Sequence, residues 1–293
     1  MANELPVLLV IGGPTASGKT NYAIELAKYY DTEIVSTDSR QAYKEISIGT
    51  AKPTTSELEV VKHHFINHCS IHDNYNAGLF EKESLNVLKE LFKSKRVVIA
   101  AGGTGLYIKA LCEGLDDLPQ AHENLRITLQ NELDESGLPI LFSKLESLDP
   151  EGSRTIDRFN PQRVMRALEL VMVSGKSLLE LKTKTIVPRP FRIIKIMMNV
   201  ERDIVYQRIN SRVDSMVANG LIEEAKSVYP FRKLNALSTV GYSELFDYFE
   251  NKYTLEEAVD KIKQHTRNYA KRQLTWFRND GGWIMHDQFD PEK

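Results

Sequence analysis

Gly13-Pro14-Thr15-Ala16-Ser17-Gly18-Lys19-Thr20 fits the pattern G-x-x-x-x-G-K-[ST]. A loop of this kind aims successive backbone N–H groups and a helix N-terminus at one point, a site for a phosphate or pyrophosphate. Lys19 would reach the terminal phosphate oxygens, and the Thr20 hydroxyl would bind Mg²⁺. Ser36-Thr37-Asp38-Ser39-Arg40-Gln41-Ala42-Tyr43 adds a carboxylate. Asp38 either caps a helix or holds Mg²⁺ or acts as a base, and local sequence leaves these open. Gly102-Gly103-Thr104-Gly105 is a tight turn needing unusual backbone angles, or a cradle for close ligand approach with Thr104 donating to a phosphate oxygen. The ligand reading is favoured.

These residues need elements to position them. Apolar runs at 8–11, 33–36 and 96–101 read as buried strands, and 21–27 and 106–111 as helices. Strands alternating with helices imply a parallel sheet, and all three signatures then fall at carboxyl ends of strands. From 123 to about 181 only helical periodicity appears, broken at 137–139, 149–150 and 160–161. A further strand at 191–198 returns to the sheet. The remainder reads as helices at 203–219, 221–228, 240–249 and 254–278. The expected fold is α/β, a P-loop NTPase-like parallel sheet core with an all-α insertion and a helical C-terminal region. Its parts are a first core segment at 1–118, a helical insertion at 119–188 and a core return with C-terminal helices at 189–293.

Composition narrows the classes further. Of 293 residues, 42% are hydrophobic and 27% charged, which is ordinary for a globular protein. A formal net charge of −2 gives no global attraction to nucleic acid, so any basic surface must be local. Two cysteines, Cys69 and Cys112, fit a reducing compartment. No basic leader precedes the first strand and no stretch reaches membrane-spanning length, so a cytoplasmic protein without membrane partners is expected.

Three clusters remain. His63, His64, His68, Cys69 and His72 match no zinc spacing, and alternation through 64–67 suggests a strand that sends neighbours to opposite faces. Arg154, Arg158, Arg163 and Arg166 crowd one part of the insertion, where a solvated helix surface is the simpler reading. Residues 262–278 carry Lys263, Arg267, Lys271, Arg272 and Arg278 and no acid. Arg267, Lys271 and Arg278 can share one stripe beside Tyr269, Trp276 and Phe277, a pattern suited to nucleic-acid contact. The aromatics themselves read better as core.

Together the phosphate loop, Asp38–Tyr43, Ile48-Gly49-Thr50-Ala51-Lys52-Pro53, Gly102–Tyr107, Pro161-Gln162-Arg163 with Arg166-Ala167-Leu168-Glu169, and Ala270-Lys271-Arg272-Gln273-Leu274-Thr275-Trp276 resemble the bacterial tRNA dimethylallyltransferases, the IPP transferase family. The motifs run in family order from first strand to last helix. The resemblance implies transfer of the dimethylallyl group of dimethylallyl diphosphate to N6 of adenosine 37 in tRNA. It makes Asp38 the general base and Thr104 a donor to the diphosphate. Gly13 to Thr20 would bind the diphosphate, with Arg208 or Arg212 closing over it and Mg²⁺ as cofactor on Thr20. Residues matched to tRNA contact are Asp38, Ser39, Arg40, Gln41, Thr104, Arg126, Gln162, Arg163, Val164, Met165, Arg166, Arg267, Lys271 and Arg272. The partners implied are the tRNA anticodon stem-loop and the prenyl donor, with the protein acting as a monomer.

Asn67 and Asn160 stand where the family usually has Asp, and Ser243 where a basic residue is usual. Three other functions share parts of this pattern: a small-molecule P-loop kinase, a prenyltransferase of free adenine nucleotides, and a non-catalytic RNA-binding GTPase-like module. The acid-free basic helix disfavours the first, and the arginine-bearing insertion disfavours the second.

Overall fold

The computed structural model describes residues 4–120, 123–183 and 185–287. The chain begins with β1 (Val7–Gly12), α1 (Lys19–Tyr29), β2 (Ile34–Ser36), α2 (Thr55–Val60), β3 (His63–His64), α3 (Ala77–Leu91), β4 (Val97–Ala101) and α4 (Gly105–Glu113). Alternate residues of the strands divide between two cores. Leu8, Val10, Val35, Val98 and Ala100 join one, while Leu9, Ile11, Ile34 and Ile99 join the other. Burial on both faces is what a parallel sheet covered by helices requires, and it explains why these strands read as continuous apolar runs.

The helices α5 (Glu123–Ser136), α6 (Leu138–Leu148), α7 (Pro150–Ser153), α8 (Pro161–Ser174) and α9 (Leu178–Leu181) follow. They belong to a compact unit, Gly114–Val187, while Met1–Glu113 and Pro188–Lys293 make up the other. The helical unit has its own core around Leu129, Leu141, Leu145, Val164 and Leu168. Its breaks come from backbone chemistry. Gly137 takes φ 81° before α6, and the Asn160 side chain accepts from Arg163 N at the start of α8. Asn160 therefore serves as an ordinary N-cap where the family usually has Asp.

The chain returns through β5 (Arg192–Asn199), α10 (Arg202–Ala218), α11 (Leu221–Val228), α12 (Tyr242–Phe249), α13 (Leu255–Asp280) and β6 (Trp283–Asp287). Among the described residues the sheet order is β3-β2-β4-β1-β5-β6, and all pairs are parallel. The neighbours β2, β4, β1 and β5 thus send four loops to one edge of the sheet. α11, α12 and α13 contribute to a further apolar cluster with Tyr43, Ile46 and Ile71.

Two local expectations fail. Residues 64–67 do not alternate as a strand, because Phe65 and Asn67 take φ 65° and 52° and β3 stops at His64. The last strand, β6, lies beyond the helices that the sequence suggested. It is held by ladder pairing with β5 from Lys195↔Trp283 to Asn199↔Asp287.

Candidate active site

The phosphate loop leaves β1 with Gly13 at φ 143° and enters α1 through Gly18 at φ 85°. A side chain at either position would be strained, which is why glycine stands at both ends of the loop. Gly18 is the N-cap of α1 and offers no side-chain hydrogen bond, so the helix N-terminus keeps N–H groups for a ligand. Lys19 Nζ donates to Pro14 O at 2.6 Å. Burial lowers the Lys19 pKa to about 8, with Asp38 opposing the shift and Arg212 adding to it. The Ser17 hydroxyl is buried and makes no hydrogen bond to a described residue.

Asp38 leaves the end of β2. Its Oδ1 accepts from Arg40 N at 2.9 Å and Gln41 N at 3.4 Å, which fixes the carboxylate in a local turn. It is not a helix cap. The Thr104 hydroxyl, just past β4, accepts from Ser39 N at 3.0 Å and faces the Ser39 hydroxyl at 3.3 Å, with Tyr269 of α13 nearby. Burial, and after it the nearby Asp38, push the Tyr269 pKa up to about 12. Arg212, on α10, donates to Thr15 Oγ1 at 3.3 Å, and burial, then Arg208, lower its pKa. Of the two candidates Arg208 and Arg212, Arg212 donates to the phosphate loop, while Arg208, one turn earlier, is exposed.

The glycines after β4 have a different reason from the one expected. None of Gly102, Gly103 and Gly105 has positive φ. A Cβ at these positions would collide with Thr37, the Gln273 amide and the Trp276 ring. The close approach they permit is by the protein's own chain. Gln273 uses that space: its Nε2 donates to Gly103 O at 2.9 Å, and its Oε1 accepts from Thr15 N at 2.8 Å. One buried amide from α13 therefore ties the phosphate loop to the turn carrying Thr104.

Gln41 donates to Thr50 O and Ala51 O at 3.2 and 3.0 Å. The same loop is held from α11, where the Glu224 carboxylate accepts from Ser47 N, Ile48 N and Gly49 N at 2.8–3.0 Å. Gln273 and Glu224 are functional candidates that sequence reasoning missed, and Tyr269, read there as core, is only half-buried. Their partners lie far away in the chain, beyond the reach of periodicity, although Gln273 sits inside a family motif.

The remaining candidates have individual fates. Arg40 donates to Asn235 O and Ala236 O at 2.9 and 3.1 Å. Val164 is fully buried in the helical core, so its side chain offers no RNA contact, and Met165 packs against the same core. Gln162 and Arg163 are exposed at the start of α8. On α13, Lys271, Arg272 and Arg278 are exposed. Arg267 donates to Asn210 Oδ1 at 2.7 Å and Lys263 pairs with Asp214 at 2.6 Å. Those two basic side chains border a depression also lined by Asn210, Asp260, Lys261 and Gln264. Phe277 is buried in the core, as read, with Trp276 and Trp283 against it.

The histidines each have a separate partner: His63 the Val61 carbonyl, His64 Glu33 and His68 Glu83. Among the described residues no group of three or more His, Cys, Asp or Glu is gathered for a metal. Asn67 accepts from Lys52 Nζ at 2.6 Å, and no described helix is long and apolar enough to cross a membrane.

A family model described as IPP transferase matches residues 41–280. The chain belongs to the IPP transferase family. It is therefore an enzyme of a transferase class. It is 50% identical over 283 residues to a tRNA dimethylallyltransferase of Christiangramia forsetii, covering 96% of this chain and 94% of the relative. Identity is 47% to one of Cytophaga hutchinsonii, covering 93% and 90%. Among solved structures, the full-length tRNA isopentenylpyrophosphate transferase of Bacillus halodurans is similar with TM-score 0.71 and 37% identity, covering 96% of this chain and 90% of that one. A eukaryotic dimethylallyltransferase acting on tRNA is similar with TM-score 0.77 and 25% identity, covering 96% and 74%. The family match begins at Gln41 and the relatives extend it across the phosphate loop and Asp38.

Proposed function

We propose that this chain transfers the dimethylallyl group of dimethylallyl diphosphate to N6 of adenosine 37 in tRNA, releasing diphosphate. The observation that carries the reading is the gathering of Lys19 and Arg212 on the phosphate loop, with the Asp38 loop joined to the Thr104 turn through Ser39 N. The loop holds the diphosphate as a leaving group, not a nucleotide for hydrolysis. As the C–O bond to the prenyl carbon breaks, negative charge grows on the diphosphate, and Lys19, Arg212 and the α1 N–H groups stabilise it. In comparable oxyanion sites one such donor contributes roughly 3–4 kcal/mol.

The adenine amine is a weak nucleophile. Its lone pair forms the new C–N bond while the Asp38 carboxylate accepts the N6 proton. The two backbone N–H bonds on Asp38 Oδ1 keep that carboxylate oriented. Thr104, held by Ser39, lies at the end of the neighbouring strand and donates toward the diphosphate.

A Mg²⁺ ion fits this donor set, since it takes few protein ligands and completes its shell with water and phosphate oxygens. The Thr20 hydroxyl would hold it, and bound there it would neutralise diphosphate charge. The helical unit offers Arg126, Gln162, Arg163 and Arg166 to the anticodon arm, and α13 offers Lys271 and Arg272. The target base leaves the loop stack at a cost of roughly a few kcal/mol, which these phosphate contacts offset. The protein acts as a cytoplasmic monomer. Incubation with labelled dimethylallyl diphosphate and unmodified tRNA tests the reading. Label should pass to tRNA bearing adenosine at position 37, and transfer to a transcript with guanosine there, or to none, would sink it.

A further inference from the structure

Glu169 sits in the buried stretch of α8 and is 1% exposed, a carboxylate among Val164, Leu168 and Val171. Its Oε1 accepts from Arg126 Nε at 2.7 Å, and its Oε2 accepts from Arg126 Nη2 and Arg166 Nη1 at 3.2 Å each. Arg166 Nη2 also donates to Pro119 O at 2.9 Å. The acid is inside and the bases are at the surface: the Arg126 and Arg166 side chains are 50% and 36% exposed. Two guanidiniums on one carboxylate leave an excess positive charge facing solvent.

Stability alone is a poor reason for this arrangement. A buried ion pair or triad can often be replaced by apolar residues of similar size without loss, because desolvation cancels the Coulomb gain. What the carboxylate does supply is geometry. It engages the Nε–Nη2 edge of Arg126 and one Nη of Arg166, whose other Nη is held by Pro119 O, so both part-exposed guanidiniums are fixed in place with N–H groups to spare. Arginine forks held this way match the oxygens of a phosphate, and their side-chain entropy is already lost before the ligand arrives.

We propose that Glu169 is a positioning residue that holds Arg126 and Arg166 as a preset pair for a backbone phosphate of tRNA. This rests on the tRNA reading above, whose failure would appear in the wild-type enzyme before any variant is made. Glu169→Met tests it in the full chain. Removing one member of the triad should lower the thermal midpoint, and in the folded variant the tRNA Kd and KM should rise about tenfold, the scale of releasing two long side chains. The donor KM should not change. Arg166→Ala should then cost much less in the Glu169→Met background than in the wild type. Unchanged tRNA affinity in the folded variant, or strictly additive effects, would overturn the proposal. Arg166→Lys supplies a second reading should Glu169→Met not fold. It keeps the charge but loses the fork, so tRNA binding should weaken several-fold at an unchanged salt slope, and full affinity would contradict the positioning role.

Discussion

Lys19 is half-buried and donates to the Pro14 carbonyl, and its pKa of about 8 makes the proposed diphosphate site sensitive to pH. A bound anion favours the ammonium form and so raises that pKa. Donor affinity should therefore be flat on the acid side and fall by up to about tenfold per pH unit once pH passes about 8. Titration of pyrophosphate binding across this range checks it, and Lys19→Met should remove the dependence along with most of the affinity. Asp38→Asn keeps the size of the side chain but not its basicity. We expect kcat to fall by roughly 10²–10⁴-fold, the usual worth of a positioned base, with pyrophosphate binding retained. Equal losses in binding and turnover would assign Asp38 to the phosphate site instead.

At the scale of elements, α13 is the part that joins the separate loops. Gln273 and Tyr269 reach from one helix to the phosphate loop and to Thr104. Gln273→Ala would leave Thr15 N and Gly103 O without their partner, at about 1–3 kcal/mol of stability. Thermal unfolding should show that loss, and the KM for the donor should rise with it. Gly49→Ala should also destabilise the fold, because a Cβ there would stand 2.6 Å from the Tyr242 ring. The cost of such overpacking is typically about 1–3 kcal/mol.

The strands β1, β2 and β4 were legible because double burial makes them apolar runs, and β5 because its apolar residues from Ile193 to Met198 are broken only by Lys195. The loops at 13–20 and 102–105 were legible because glycines and a following helix mark them, whereas the Asp38 loop has neither and showed only as a carboxylate just past a strand. Residues 64–67 misled because an alternating pattern says nothing about Phe65 and Asn67 entering left-handed backbone conformations. The five-residue β6 escaped because Ile284 and Met285 are exposed on an edge strand, without the pattern of a buried one. Gln273, 258 positions from Thr15, could be assigned a partner only from the folded chain.

For the whole molecule, a net charge of −2 means that RNA affinity must come from placed cations and not from the overall field. Lys271 is exposed on the acid-free segment of α13. Lys271→Ala should weaken tRNA binding and shallow the dependence of log Kd on log salt by about one phosphate contact. An unchanged slope would remove that contact from the interface.

In the proposed reaction the phosphate loop holds the leaving group of prenyl transfer. The most direct test is the stoichiometry of pyrophosphate release against prenylated adenosine 37, measured without any nucleoside triphosphate. One pyrophosphate should appear for each modified adenosine, and only when tRNA is present. A requirement for ATP, or pyrophosphate release with no prenyl group on the tRNA, would contradict the account.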